Sequence, residues 1–382
     1  MPNKFVLNET SYHGKGAILE IPNEIKGRGI AKVLVCSDPG LVQFGVTKKV
    51  TDLLEGAGIE YRLYTNIQPN PTIENVQSGV KAYREYGAEG IVAIGGGSSM
   101  DTAKAIGIII ANPEHEDVVS LGGVVNTRNH VVPLFAVPTT AGTAAEVTAS
   151  YVITDPENRR KFVCIDGHCV PHVAFVDPDM MSSMPKGLTA FTGMDALTHA
   201  IEGYITPGAW ELSDPLNLKA IQLVAKHLRS AVNGEEEGRR GMAIAEYLAG
   251  MGFSNVGLGL DHAIAHTLGG FYGIPHGKAC TILLPSVMEF NRDYTGEKYR
   301  DIAGAFGVED ALNGDLETVK DEAIAEVKKL AGDIGIELSF RNDIREEDLD
   351  AIAEGALKDA CAGNNPRPFT AEDVKTILRG LM

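Results

Sequence analysis

The amino-acid sequence predicts two domains in series: an α/β domain with a parallel sheet over residues 1–184, then an all-α domain over residues 185–382. Three observations carry this. Strand-like and helix-like runs alternate over roughly the first 140 residues, the pattern of a parallel sheet wrapped by helices. Between Tyr151 and Asp177 the texture changes to short β runs. Beyond Pro185 only long segments of helical periodicity follow, so the boundary falls at Met184-Pro185.

FVLN (5–8) reads as an edge strand, and AKVLVCSD (31–38) as a buried parallel strand ending at Asp38 before Pro39-Gly40. VTKKVTDLLEGAG is an amphipathic helix stopped by Gly56 and Gly58, and EYRLYTNI (60–67) is the next strand. Thr72 to Tyr86 reads as a helix with Thr72 as N-cap, GIVAI (90–94) as a strand, MDTAKAIGIII (100–110) as a helix and PLFAV (133–137) as a strand. YVITD, KFVCID and VAFVD read as a hairpin and a return strand. The helices expected in the second domain are Pro215 to Val232, Arg239 to Asn255, Leu316 to Asp333, Glu346 to Lys358 and Ala371 to Leu381.

At 382 residues the chain is long enough for a large core and two or three domains of ~150 residues. A formal charge of −17 disfavours nucleic acid and anionic membrane surfaces as partners. No run approaches the ~20 apolar residues needed to span a bilayer, and no leader pattern stands at the N-terminus. The expectation is a cytoplasmic protein. Five cysteines scattered over the chain do not form a disulfide framework.

IVAIGGGSSMDTAKAIG places Gly95, Gly96, Gly97 and Ser98 between a strand and a helix. Glycines let a ligand approach the backbone, and the helix start offers unpaired amides and partial positive charge, which suits a pyrophosphate. The loop is neither G-x-G-x-x-G nor a P-loop, and alone it is equally a tight turn. VPTTAGTAAEVT follows another strand of the same sheet, so Thr139, Thr140 and Thr143 face the same crevice, which favours the dinucleotide-binding reading. Asp38 stands where a dinucleotide fold places its ribose-binding carboxylate; as a turn residue before Pro-Gly it has an ordinary explanation too.

A second constellation lies between Phe191 and Lys278. Asp195 and His199 sit four apart in FTGMDALTHAIEGY, on one helix face, and His262 and His266 repeat the spacing in GLGLDHAIAHTLGGFYGIPHGKA. His276 follows Pro275, where a new helix begins. One carboxylate and three imidazoles can converge on one ion with one histidine to spare; spacing does not say whether His262 or His266 is the spare. Any one of these histidines alone is more simply a core or cap residue. The donor types suit zinc, iron(II), nickel or cobalt, and the lack of a nearby Cys ligand argues against a closed structural zinc site. Cys164, His168, Cys169 and His172 mimic a zinc motif, but their spacing is poor, and the segment reads as a hairpin turning at Asp166-Gly167.

The GGGSSMDTAKAIG loop, PTTAGTAAEVT, FVDPDMMSSMPKGLTAFTGMDALTHAIEGY and GLDHAIAHTLGGFYGIPHGKA resemble the iron-containing (group III) alcohol dehydrogenases, and the likeness extends over nearly the whole chain, through TGEKYRDIA and CAGNNPR. The resemblance implies that Asp195, His199, His262 and His276 hold Fe(2+), zinc being an alternative ion, while His266 lies near the nicotinamide as a proton carrier. It implies NAD bound by Gly95, Gly96, Gly97, Ser98, Asp101, Thr139, Thr140, Thr143 and Lys161, with Asp38 favouring NAD over NADP. Ser150, Val152, Phe253 and Cys361 match positions lining the substrate pocket. Ser150 departs from a member of the family that carries Asn there, which changes how a substrate's second hydroxyl is met. Pairing of two chains through the N-terminal strand, giving a homodimer, is implied as well.

The implied reaction passes a hydride between NAD(H) and a small primary alcohol or aldehyde, such as a short diol, with the ion as Lewis acid and His266 returning the proton. Rival readings are a zinc enzyme of the glycerol dehydrogenase kind, a metal-and-NAD lyase of the dehydroquinate synthase kind, and a metal- and nucleotide-binding protein without turnover. A phosphorylated substrate asks for several Lys or Arg beside the ion, and the metal motifs contribute only Lys278. A sensor has no need of a pyrophosphate loop.

Overall fold

The structure is a computed structural model describing residues 2–158, 160–341 and 343–382. The chain divides into two units, Met1–Met184 and Pro185–Met382. In the first, the strands are β1 (Thr10–His13), β2 (Lys32–Ser37), β3 (Glu60–Tyr64), β4 (Gly90–Gly95), β5 (Gly123–Val124), β6 (Leu134–Pro138), β7 (Ser150–Asp155), β8 (Arg160–Ile165) and β9 (Val173–Val176). The helices are α1 (Ile21–Gly27), α2 (Pro39–Gln43), α3 (Val46–Gly56), α4 (Ile73–Tyr86) and α5 (Gly97–Ala111).

Six strands form one parallel sheet in the order β1-β9-β6-β4-β2-β3. Its two faces are covered separately. Leu34, Cys36, Ile91, Ala93, Leu134 and Ala136 pack with α4 and α5, while their neighbours Val33, Val35, Val92, Ile94, Phe135 and Val137 pack with α1 and α3. This is why the central strands read as unbroken apolar runs: with both faces buried, alternation has no polar side to show. From β2 the chain moves outward to β3 and then returns across β2 to β4, so the order reverses between β2 and β4. The carboxyl ends at that reversal carry Asp38 and Gly95.

A three-stranded sheet, β5-β8-β7, holds the short strands. The expected hairpin is β7 with β8, antiparallel from Ser150↔Ile165 to Asp155↔Arg160. Asp166-Gly167, expected as a hairpin turn, instead starts a 3-10 turn, with the Asp166 carboxylate accepting from the His168 amide. The chain there leaves the small sheet to enter the large one as β9, so the strands on either side are not paired. FVLN also differs. Residues 5–8 are not a strand; the edge strand is β1, which begins at Thr10 and lies along β9.

The second unit is helical throughout its described residues: α6 (Lys186–Ile205), α7 (Asp214–Val232), α8 (Glu236–Phe253), α9 (Leu260–Tyr272), α10 (His276–Asn291), α11 (Lys298–Phe306), α12 (Leu316–Asp333), α13 (Leu349–Lys358) and α14 (Ala371–Arg379). Glu346–Asp348, expected inside a helix, is a separate 3-10 turn before α13. From Gly193 to Ile205 α6 is buried on every side. Its polar residues therefore have no solvent face and must find partners inside, which makes Asp195, His199 and Glu202 informative.

Candidate functional site

In the first unit the two small-residue loops meet. Gly95 pairs with Pro138, and the Thr139 amide donates to the Gly95 carbonyl at 3.0 Å. A Cβ on Gly96 would stand 3.1 Å from Thr140, and one on Gly97 would stand 3.2 Å from Thr143. A Cβ on Gly95 would run into the Ser99 side chain. No side chain caps α5, whose N-cap is Gly96. Buried hydroxyls of Ser99 and Thr140 have no partner. Open helix amides beside unpartnered hydroxyls, with the room kept clear by glycine, fit a phosphate-bearing ligand.

The other residues expected around this loop have defined local roles. Asp38 is the N-cap of α2, its Oδ1 accepting from the Leu41 amide at 3.0 Å. Asp101 Oδ2 accepts from the Val152 amide at 3.1 Å, tying α5 to β7. Lys161 Nζ donates to Asn70 Oδ1 at 2.8 Å. The Ser150 carbonyl accepts from Lys104, a buried lysine whose Nζ also donates to the Thr148 carbonyl at 2.7 Å. Cys164 and Cys169 are core residues, His168 Nδ1 lies 2.8 Å from the Thr127 carbonyl, and the Leu134 amide donates to His172 Nδ1. These four do not share a centre, because each side chain is engaged locally.

In the second unit, Asp195, His262, His276 and Cys280 each bring a donor atom to within 4.8 Å of the others. Asp195 comes from the middle of α6, His262 from the first turn of α9, and His276 and Cys280 from the first two turns of α10. Gly277 permits this arrangement: a Cβ there would sit 2.5 Å from the Phe191 carbonyl oxygen, so the start of α10 can lie directly on α6. Asp195 Oδ1 is 3.5 Å from His276 Nε2 and 3.9 Å from His262 Nε2. His199 adjoins the group, its ring stacked at 4.5 Å on His262 and at 4.2 Å on Phe253.

Sequence reasoning missed the carboxylates behind these ligand candidates. Glu202 Oε2 is 2.7 Å from His262 Nδ1, while Oε1 accepts from the Asp261 amide at 2.8 Å. Holding the proton at Nδ1 leaves the Nε2 lone pair facing the group. Asn365 caps the same helix start by accepting from the Leu260 amide at 3.1 Å. A signal was present in sequence, since Glu202 is seven residues after Asp195 and hence on the same face of α6. Cys280 likewise follows His276 by one turn, which corrects the expectation that no cysteine lies near the ion.

His266 belongs to a neighbouring set with Asp359 and Cys361. Its Nδ1 is 3.0 Å from Asp359 Oδ2, and the Cys361 amide donates to Asp359 Oδ1 at 2.8 Å. Burial raises the Asp359 carboxyl, but the adjacent His266 and these hydrogen bonds outweigh it and hold the group below its ordinary range. The His266 ring stacks on His276 at 5.3 Å, beside the four-donor group without being part of it.

These residues fit a cation. Asp195 is 2% exposed, and its Oδ1 has no hydrogen-bond partner. Burial pushes its carboxyl up to about 8. Asp261 is fully buried, and its carboxyl is raised first by burial and then by the charge of Glu202. A cluster of acids in a dry interior is costly unless positive charge joins it.

Two family models cover the chain: iron-containing alcohol dehydrogenase over residues 8–178, and Fe-containing alcohol dehydrogenase family, C-terminal, over residues 189–382. The chain is 53% identical over 376 residues, 98% of each sequence, to lactaldehyde reductase of Escherichia coli K12. It is 38% identical, covering 98% of this chain and 97% of the relative, to 1,3-propanediol dehydrogenase of Klebsiella pneumoniae. Among solved structures, a 1,3-propanediol oxidoreductase superposes with a TM-score of 0.96 at 38% identity, all of both chains covered. Sulfoacetaldehyde reductase from Bifidobacterium kashiwanohense, solved with NAD+, gives 0.89 at 28% identity, with 100% of this chain and 99% of that chain covered.

Proposed function

The chain belongs to the iron-containing alcohol dehydrogenase family and is an NAD-linked alcohol/aldehyde oxidoreductase, and from that premise we propose that it reduces a small aldehyde of the lactaldehyde kind to its diol with Fe(2+) at the Asp195 centre. The reading rests above all on Asp195, a buried carboxylate with an unpartnered oxygen facing the Nε2 atoms of His262 and His276, the His262 ring being held from behind by Glu202. Asp195, His199, His262 and His276 hold the ion in this proposal. The 53% identity to a lactaldehyde reductase supports the substrate class.

When bound, the ion supplies Lewis-acid polarisation of the carbonyl and the nicotinamide supplies the hydride. The chain's own residues do the rest. The open amides at the start of α5, with Thr139, Thr140 and Thr143, hold the pyrophosphate, and Asp38 takes the ribose hydroxyls while its charge disfavours a 2′-phosphate. Asp101 and Lys161 complete the cofactor contacts. Glu202 keeps the His262 proton on Nδ1, and Asp359 does the same for His266. His266 Nε2 can then deliver a proton to the product oxygen, directly or through water. Phe253, stacked on His199, and Cys361, beside Asp359, present apolar surface to a short carbon chain. Among the described residues no helix is long and apolar enough to cross a membrane. In this proposal the protein is cytoplasmic and two chains pair through the N-terminal edge strand, which is β1 rather than FVLN, a reading supported by the place of β1 at the sheet edge.

The test is NADH consumption with lactaldehyde and a series of two- to four-carbon aldehydes, using protein stripped by chelator and then reloaded anaerobically with iron(II). Restoration by iron and preference for the 2-hydroxy aldehyde are expected. Equal turnover by fully stripped protein, or oxidation of NADH with none of these aldehydes, rejects the proposal.

A further inference from the structure

The NNPR end of the CAGNNPR stretch has no part in the chemistry above, yet it is bonded to the start of α9 and to the residue that ends α6. Asn365 is buried, and its amide makes every bond open to it. Oδ1 accepts from the Leu260 amide at 3.1 Å and from Asn291 Nδ2 at 3.0 Å, while Nδ2 donates to Asn291 Oδ1 at 2.8 Å and to the Arg367 carbonyl at 2.7 Å. The Arg367 carbonyl can only accept, so Nδ2 must face it and Oδ1 is left to face α9. Arg367 is itself fixed on the end of α10. Its guanidinium lies 3.9 Å from the centre of the Phe290 ring and donates to the Phe290 carbonyl at 3.0 Å.

Asn364 reaches α6: its carbonyl accepts at 2.9 Å from the hydroxyl of Thr206, the C-cap of that helix. The approach is close on every side. A Cβ on Gly257 would stand 2.6 Å from Asn364 Nδ2, and one on Gly259 would stand 2.8 Å from Asn365 Oδ1 and 2.9 Å from Glu202 Oε1. Glycine at 259 therefore lets the chain enter α9 between the two side chains that accept from its first amides.

We infer that Asn365 is a positioning residue of the metal centre. Seated on the end of α10, the segment Asn364 to Arg367 clamps the start of α9 to the end of α6, and so sets His262, two residues past Leu260, against Asp195 and His199. Resting on the metal-dependent reading above, this deepens it by naming what holds the ligand atoms before an ion arrives. Asp195 Oδ1 and His262 Nε2 stand 3.9 Å apart. A tetrahedral ion with bonds of ~2.1 Å asks for roughly 3.4 Å between them. A site of this kind works only while its groups are held within ~0.5 Å, so a small shift of α9 matters. All four Asn365 bonds go to backbone or to Asn291, and its influence on the ion passes through the helix.

The test compares the unaltered full-length chain with Asn365→Ala, Asn291→Ala and Arg300→Ala. For each, iron(II) affinity is measured anaerobically by competition with a chromophoric chelator, well below the melting temperature, together with NADH affinity and the melting temperature itself. Arg300 is the control because it too holds two carbonyls, those of Ala311 and Gly314, and neither is on a ligand-bearing helix. Iron affinity should fall by ~10–100-fold in Asn365→Ala and by about threefold or more in Asn291→Ala, which cuts the amide pair but leaves the α9 cap. It should be unchanged in Arg300→Ala, and NADH affinity unchanged in all three. Iron affinity within about twofold of the unaltered chain in Asn365→Ala overturns the inference and leaves the metal enzyme standing, Asn365 then being a cap that adds stability alone. An equal fall in Arg300→Ala overturns it as well, the cause then being a general loosening of the unit. Should Asn365→Ala not fold, an unchanged affinity in Asn291→Ala overturns it instead. An unaltered chain that binds no iron(II) sinks the metal reading and this inference together.

Discussion

Two helix starts show how differently this chain prepares its two sites. At α5 the first amides are left without side-chain caps, and the glycines carry no Cβ that would press on Ser99, Thr140 and Thr143, so the backbone is open to a ligand. At α9 the first amides are taken by Asn365 and Glu202, residues 105 and 59 positions distant, and the same Glu202 then orients His262. An open helix start is a general anion site that depends on what is absent. A capped one is a rigid mount for a side chain and depends on several residues being present together. Substitutions should therefore separate the two: those in the loop change cofactor binding with metal content intact, and those at the centre do the reverse.

The largest effect is expected from Asp195→Ala, which removes the buried carboxylate of the centre. Bound metal by elemental analysis should fall to background and turnover by on the order of 10³-fold or more, while NADH fluorescence titration is unchanged. Loss of NADH binding in this variant would break the separation. Next is His266→Ala, expected to lower kcat by ~10²–10⁴-fold with metal near one per chain. Metal loss there would exchange the roles assigned to His262 and His266.

Glu202→Gln sharpens the comparison from the supporting side. Its amide cannot accept from both the Asp261 amide and His262 Nδ1, so metal affinity should drop by ~10–100-fold in a chelator competition, again without change in NADH binding. On the loop, Gly95→Ala forces a Cβ against Ser99 and should weaken NADH by roughly tenfold, or ~1.4 kcal/mol, with metal content unaltered. Smallest is Asp38→Gly. Glycine retains most of the capping preference at α2, so stability should change by only a few tenths of a kcal/mol in a thermal melt. The kcat/KM ratio for NADPH over NADH should nonetheless rise, and an unchanged ratio rejects the ribose role of Asp38.

Much of the architecture was legible from pattern. Leu316–Asp333 is helical as periodicity predicts, and Thr72 caps α4 with a reciprocal bond from Asn75, because caps and amphipathic repeats are local. The misses have a common origin. YVITD and KFVCI form the expected hairpin, but Asp166-Gly167 is not a hairpin turn, because VAFV goes on to the large sheet beside β1, and no local property of that run states which partner it takes. FVLN has β composition, but the ladder along β9 starts only at Thr10.

By itself, the sequence determined the alternation of strands and helices, the division near Met184-Pro185, the glycine loop and the four-residue spacings that place Asp195 with His199 and His262 with His266, since each is a matter of residues close to one another along the chain. Only the tertiary structure decided that Cys280 stands among the donors, that Glu202 and Asp359 grip the imidazoles from behind, and that His266 pairs away from His262 despite sharing its helix. The reason is distance along the chain. A helix fixes which side chains share a face, but which acid from another helix meets that face depends on how α6, α9, α10 and the turn before Cys361 pack.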